Sequence, residues 1–166
     1  MKKYKNDEFF NIIDKIISNE EFSKTKEIDH HGITRYNHCL RVAYYSFLIT
    51  KFLHLDYKKV TEAALLHDFF IDEVEDKNFY GRLTKHSKYA LVNASKYFDL
   101  NDMQKDIILT HMFPVTFTPP KYIESWIVDL VDDIAAIYEK FYSVRLEMRA
   151  AFTFLLLLFI NYIRVI

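Results

Sequence analysis

The sequence predicts an all-α protein, a bundle of about six to seven helices, on three grounds. Apolar residues recur at i, i+3, i+4 and i+7 in successive segments. Only two glycines and three prolines interrupt the 166 residues, fewer than the turns of a β-rich fold normally need. The length suits one well-buried core, so we predict a single domain over residues 1–166.

Three helices are expected in the N-terminal half. Isoleucine and phenylalanine at helical spacing predict a packing helix over residues 6–19, which precedes a core of about 34–142. A second helix is expected over 34–53, and a third over 57–70 with His67 pointing inward near its end. The apolar stripe of the second helix consists of Val42, Tyr45, Ile49 and Phe52.

Capping residues predict the next two helices. The acidic stretch at 72–77 is typical of a surface loop. Thr84 is then expected to cap a fourth helix, and Asn101 with Gln104 resembles a capping box for a fifth. The fifth helix must end at Pro114, because proline cannot continue a helix.

The last two helices are expected over residues 122–142 and 144–164. The second of them includes the run 150–163, most of which is apolar on every side. Such a helix lies either inside protein or in lipid. The run is shorter than the roughly 20 apolar residues of a membrane span. We favour a core or homodimer-interface helix and keep membrane contact as the alternative.

Charge and cysteine content limit the function classes. The formal net charge is only -1, which gives no basis for non-specific binding of nucleic acid. The single cysteine, Cys39, cannot form an internal disulfide. The charged N-terminus does not resemble a secretory signal. Together these features favour a cytoplasmic protein.

Six histidine and aspartate side chains lie among the apolar residues of the predicted helices. They are His38, His67, Asp68, His86, His111 and Asp132. Buried polar groups need hydrogen bonds or a cation, so this set indicates a metal site. Mixed nitrogen and oxygen ligands suit transition metals, whereas an oxygen cage suits magnesium or calcium. With Asp68 as a bridging carboxylate, the set could hold two ions, an arrangement used in phosphoryl transfer.

One of these aspartates has competitors on its own helix. Asp129 and Asp133 lie close by, but Asp132 shares the helix face of Val128 and Ala135. This register selects Asp132 as the inward carboxylate.

The segment AALLHD at 63–68, with His38 before it and DLVD at 129–132 after it, resembles the HD-domain metal-dependent phosphohydrolase superfamily. The resemblance implies an HD-type helical bundle. The ligands that it implies for a first ion are His38, His67, Asp68 and Asp132. His86 and His111 resemble the additional ligands of the dinuclear branch, which would hold a second ion together with Asp68.

The spacing is similar to that of bacterial HD hydrolases of symmetrical dinucleoside tetraphosphates. This resemblance implies a hydrolase in which Asp68 and His67 take part in catalysis and the substrate is a small phosphorylated molecule, most plausibly a nucleotide. Two divalent ions are expected, iron or manganese first, with nickel, zinc or magnesium left open.

One position departs from those relatives, many of which carry a lysine three residues after the doublet, where this chain has Ile71. Other cations are therefore expected to bind phosphate. These candidates are Arg35, Arg82, Lys85 and Lys88. For Arg35, a surface salt bridge is an equal alternative.

Two other functions remain open at this point. In a mononuclear nucleotide phosphatase, His86 and His111 would position phosphate instead of a second ion. In a non-catalytic module, the same fold would bind a nucleotide or a partner.

Overall fold

A computed structural model describes residues 6–30, 32–71 and 79–165, without the side chains at 30, 79–80, 82–84, 151 and 155–165. The predicted all-α fold is confirmed. The helices are α1 (Asp7–Ile17), α2 (Glu20–Ser23), α3 (Arg35–Phe52), α4 (Tyr57–Leu66), α5 (Phe79–Tyr97), α6 (Asp102–Thr110) and α7 (Ile123–Val165). A 3-10 turn (Lys24–Glu27) and two short strands, β1 (Asp29–His30) and β2 (Ile33–Thr34), join α2 to α3. The loop predicted over 72–77 lies outside the described residues.

Among the described residues, polar side chains cap five of the helices. Asn6, Asn19, Thr34 and Asp56 each accept a backbone N–H three residues later, at the starts of α1, α2, α3 and α4. The capping box of Asn101 and Gln104 is present at the start of α6. These caps define where each helix begins, and so the register of the residues that follow.

α3 and α4 pack closely together at the centre of the bundle. α3 also packs against α7, while α6 contacts α4, α5 and α7. The buried residues Phe9, Ile13 and Ile16 place α1 in the core, and α1 packs against α4, as expected of a packing helix. Because α3, α4, α6 and α7 meet in the centre, residues on their inner faces come close together.

A tight turn ties the start of α3 to α7. β1 and β2 pair antiparallel with Asp29 opposite Thr34, around Gly32. Gly32 has a φ of +84°, a conformation that favours glycine. A Cβ at Gly32 would lie 2.9 Å from Oγ of Ser143 on α7, too close without a shift. Glycine therefore satisfies both the backbone conformation and the close approach.

The apolar stripe predicted for α3 is partly wrong. Val42 is buried, but Tyr45, Ile49 and Phe52 are 45%, 40% and 82% exposed. The buried face includes polar and small residues such as Ser46. A pattern based only on apolar residues ignores buried polar and small residues. The predicted stripe is therefore rotated too far around the helix.

α5 begins earlier than predicted, at Phe79. Thr84 therefore lies inside the helix and does not cap it, and His86 falls in the third turn instead of the first. The helix extends toward the N-terminus because Gly81 does not stop it.

The two helices predicted over 122–142 and 144–164 are one continuous helix, α7. Its sequence contains no glycine or proline, and Ser143 alone carries too small a propensity penalty to end a helix. Within the described residues, no helix combines the length and apolar character needed to cross a membrane.

Candidate metal centre

Five separate parts of the chain bring the six predicted ligands together. They are His38 on α3, His67 and Asp68 directly after α4, His86 on α5, His111 directly after α6, and Asp132 on α7. All are buried except His86, which is partly buried. Their ligand atoms fall into three overlapping sets of three, within each of which all atoms lie within 4.8 Å of one another. The six therefore form one cluster.

The first half of the cluster surrounds Asp132. Its Oδ1 lies 2.9 Å from Nε2 of His38 and 3.4 Å from Nε2 of His67. Asp68 lies close enough to join His38 and His67 in a potential set of three ligands.

The second half of the cluster lies around Asp68. Its Oδ1 lies 3.6 Å from Nε2 of His86 and 3.7 Å from Nε2 of His111. The two imidazole nitrogens are 2.9 Å apart. Asp68 thus belongs to a set of three on each side, the position that a carboxylate shared by two ions would occupy.

Backbone carbonyls orient two of the histidines. Nδ1 of His67 lies 2.8 Å from the carbonyl oxygen of Ala64, and Nδ1 of His111 lies 2.8 Å from that of Ile108. A carbonyl only accepts, so each Nδ1 carries the proton and each neutral ring keeps its lone pair on Nε2. Both Nε2 atoms face the cluster, and that of His67 is buried without a hydrogen-bond partner among the described residues.

The spacing of these atoms is close to that of ligands bound to one metal ion. Ligand atoms bound at about 2.1 Å to one transition metal lie roughly 3.0–3.4 Å from each other. The contacts around Asp132 are 2.9 and 3.4 Å, and those of the second half range from 2.9 to 3.7 Å. Four imidazoles and two carboxylates also match the ligand preference of iron, manganese and zinc.

Burial and neighbouring charges shift the pKa values of the cluster. Burial opposes a charged His38, but hydrogen bonds to two carboxylates, Asp132 first, raise its pKa to about 10. Burial likewise opposes a charged Asp132, but His67 and His38 hold its pKa well below the usual value. Burial and the nearby His67 lower the pKa of His111 to about 3, which keeps this imidazole in the neutral form that binds metals.

Glu139, which was not predicted as a site residue, is 2% exposed. Its Oε2 lies 2.8 Å from Nδ1 of His38, and its Oε1 accepts a hydrogen bond from Arg41. Carboxylates often orient metal-binding histidines in this way. The signal was available, because Glu139 follows Asp132 by seven residues and so shares its helix face.

Arg35 contacts Phe70 in two ways. Its Nη1 donates a hydrogen bond of 2.7 Å to the carbonyl of Phe70, and its guanidinium lies 3.7 Å from the ring centroid. The same ring stacks on His86, with centroids 5.6 Å apart. The described contacts of Arg35 are thus with Phe70, and they do not include the surface salt bridge considered as an alternative. Phe70 connects this arginine to the second half of the cluster.

The other predicted phosphate contacts are less defined. Lys85 and Lys88 are exposed on α5, and the side chain of Arg82 lies outside the described part of the chain. Ile71, where relatives carry lysine, is partly buried against the core. Among the predicted cations with described side chains, Arg35 has the clearest contact near the cluster.

Of the three aspartates on this part of α7, two lie where the helix register predicts. Asp132 points into the cluster and Asp133 is exposed. Asp129 is also buried, and its Oδ1 has no hydrogen-bond partner among the described residues. Burial and the charge of Asp133 raise the pKa of Asp129 to about 7.

A family comparison agrees with this geometry. The family model of the HD domain matches residues 35–137, more than half of the chain. The chain belongs to the HD-domain family. HD domains are generally metal-dependent hydrolases, and the matched range contains all six residues of the cluster. No curated protein and no solved structure matches the chain significantly.

Proposed function

We propose that this HD-domain protein is a phosphohydrolase with two divalent transition-metal ions. One observation carries the proposal: four imidazole Nε2 atoms and two carboxylates converge from five parts of the chain, with Asp68 between the halves. Desolvating six such groups is costly unless a cation compensates for it. The proposed ions are iron or manganese, and the donor set also accepts nickel, zinc or magnesium.

Each ligand has a defined role in this proposal. His38, His67 and Asp132 hold the first ion, His86 and His111 hold the second, and Asp68 binds both. The ions supply an activated water and neutralise phosphate charge. The protein contributes orientation: carbonyls direct two imidazoles, Glu139 directs a third, and Phe70 stacks on His86. Burial of the cluster limits competing water.

The proposed substrate is a small phosphorylated molecule, most plausibly a nucleotide. Support for the nucleotide comes from the resemblance to HD hydrolases that cleave dinucleoside tetraphosphates. Arg35 is the proposed phosphate contact because its guanidinium stacks on Phe70, which in turn stacks on the ligand His86. A bound nucleic acid is not proposed, since the net charge of -1 gives no basis for non-specific attraction to phosphates.

The first test is metal content. Wild type and the double variant His86→Ala/His111→Ala are purified without chelator or metal-affinity tag, and metal per chain is measured by elemental analysis. About two ions in wild type and about one in the variant are expected. A matched variant, Lys88→Ala on the same helix, changes an exposed side chain and is expected to retain wild-type metal content.

The second test is phosphate release from nucleotides and dinucleoside tetraphosphates by the manganese- or iron-loaded protein. Activity in wild type that is absent in Asp68→Asn supports the hydrolase. One ion in both proteins of the first test would instead support a mononuclear phosphatase. If no ion is bound after anaerobic reconstitution, the hydrolase proposal is overturned, and the protein is a non-catalytic binding module.

A further inference from the structure

The outer face of α7 carries a continuous apolar seam. Along the whole helix, apolar residues recur at alternating intervals of four and three. In the described part, the α7 seam consists of Ile123, Ile127, Leu130, Ile134, Ile137, Phe141, Val144 and Met148. The sequence continues the same spacing through Ala151, Leu155, Leu158, Tyr162 and Val165. A repeat sustained over this many heptads is characteristic of a coiled coil.

The α7 seam faces away from the metal cluster. Asp132 and Glu139 are buried on the inner side of the helix, whereas Leu130, Ile134 and Phe141 are 60%, 58% and 73% exposed. At about 100° per residue, these seam positions lie on the opposite side of the helix from Asp132. One face of α7 therefore packs against the bundle, and the other has no partner within the described part of the chain.

The helix also extends beyond the bundle. Its 43 residues give a length of about 64 Å. From Val144 to Phe154, every described side chain is exposed. An isolated apolar helix of this kind is marginal in water and is stabilised by burying its apolar face.

We propose that the α7 seam pairs with the α7 seam of a second copy of this chain, and that the two helices run antiparallel. A period of 3.5 residues keeps the seam in contact with a partner helix of the same period, and an identical helix supplies it.

Charges beside the seam favour the antiparallel orientation. Asp133, Lys140 and Glu147 are exposed, seven residues apart, in one row beside the seam. In an antiparallel pair this row faces its own copy, so Lys140 meets the partner's Glu147 when the helices cross near Val144. In a parallel pair, Lys140 would instead lie beside the partner's Arg145, and like charges there are unfavourable.

The same register covers a groove in the bundle. Val144 is the midpoint of α7, so the C-terminal half of one helix lies over the N-terminal half of the other. Beside that half is a groove of about 360 Å³ between α3 and α7. It is lined by Arg41, Tyr45, Ile49, Val131, Ile134, Ala135 and Tyr138. The partner's apolar C-terminal run would fill this groove, which accounts for a run that is apolar on every side.

The exposed area is sufficient for a stable dimer. Seven described residues of the α7 seam, all except Ile127, are between 46% and 73% exposed. At roughly 100 Å² each they offer about 700 Å², close to the 800 Å² per partner of a standard interface. The groove and the rest of the seam add to this area.

The test is the oligomeric state of the full chain, by light scattering after size exclusion. Wild type is expected at close to twice the chain mass of 20.0 kDa. Ile137→Asp places a charge in the middle of the seam and is expected to weaken the dimer about 100-fold or more. The matched control is Leu146→Asp, an exposed apolar residue of α7 on the face away from the seam, which is expected to stay dimeric.

Orientation is tested by mixing Lys140→Cys protein with Glu147→Cys protein under mild oxidation; the native Cys39 is buried and does not interfere. An antiparallel pair gives a disulfide between the two variants. A disulfide formed instead between Lys140→Cys protein and Arg145→Cys protein indicates a parallel pair and overturns the proposed orientation. A wild-type monomer at micromolar concentration overturns the dimer, and a monomer that floats with anionic vesicles assigns the seam to a membrane. Metal content and phosphate release test the proposed function separately, so either proposal can fail alone.

Discussion

Glu139 binds His38 on the side of the imidazole ring opposite Asp132. Its Oε2 lies 2.8 Å from Nδ1, while Oδ1 of Asp132 lies 2.9 Å from Nε2. The two carboxylates, seven residues apart on α7, therefore hold one histidine of α3 between them. Glu139 is in turn held by Arg41. The orientation of His38 thus depends on the packing of α3 against α7.

Removing this support is expected to weaken metal binding. In Glu139→Ala, the Nδ1 atom of His38 loses its partner, and metal affinity should fall by about 10- to 100-fold. Glu139→Gln keeps an acceptor without the charge and should lie between the two. Affinity is measured by competition with a chromogenic chelator. Glu124→Gln, on the same helix but away from the cluster, is the control, and equal affinity in all four proteins would contradict the role of Glu139.

Asp68 is expected to affect both halves of the cluster. Its Oδ1 is near His86 and His111, and it also groups with His38 and His67. Asp68→Ala should therefore lower metal content below one ion per chain, whereas His86→Ala should affect only the second ion. Elemental analysis of both variants, with circular dichroism to check the fold, distinguishes them. Retention of one full ion by Asp68→Ala would show that this carboxylate is not shared.

Arg35 is expected to contribute to stability as well as to phosphate binding. Arg35→Lys removes the hydrogen bond to the Phe70 carbonyl and weakens the contact with the ring, which should cost about 1–2 kcal/mol. Urea unfolding measures this cost. Lys88→Ala, at an exposed position, should stay within about 0.5 kcal/mol of wild type. A fully stable Arg35→Lys protein with a raised KM would assign Arg35 to substrate alone.

Asp129 makes the stability of the metal-free protein depend on pH. Burial raises its folded pKa to about 7 from the ordinary 3.8 of an aspartate. Between these values the unfolded chain has released a proton that the folded chain retains, so the free energy of unfolding falls as pH rises, by at most ~1.4 kcal/mol per unit. Above pH 7 this loss is complete.

Asp129→Asn removes this titration. Its stability relative to wild type should therefore increase from pH 4 to pH 7 and stay constant above, in urea unfolding with chelator present. Asp99→Asn changes an exposed carboxyl and should follow wild type. A constant difference between Asp129→Asn and wild type across this range would show that Asp129 is ionised in the folded protein.

Much of the candidate site could be predicted because its signals are local. The doublet His67-Asp68 closes an apolar helix, and a register argument on one helix selected Asp132 over Asp133. Caps such as Asn101 are also local, because each acts on a backbone N–H three residues away. Such features can be identified from a short segment, because they do not depend on distant parts of the chain.

Predictions failed where contacts with distant residues determine which side chains are buried or which side chains meet. The exposed side of α3 could not be identified from its own residues, because the packing of α4 and α7 determines which face is buried. Glu139 gained its role only when α7 brought it to His38, 101 residues earlier in the chain. Phe70 is similar, since only the fold shows that its ring lies between Arg35 and His86.

The sequence by itself determined the helical class, the capping box at the start of α6 and the six metal-ligand candidates, because short-range periodicity and hydrogen bonding specify them. Only the tertiary structure decided how those ligands lie around Asp68, which carboxylate supports His38, and which face of α7 is left exposed. These features depend on contacts between segments far apart in the chain, and no local pattern encodes such contacts.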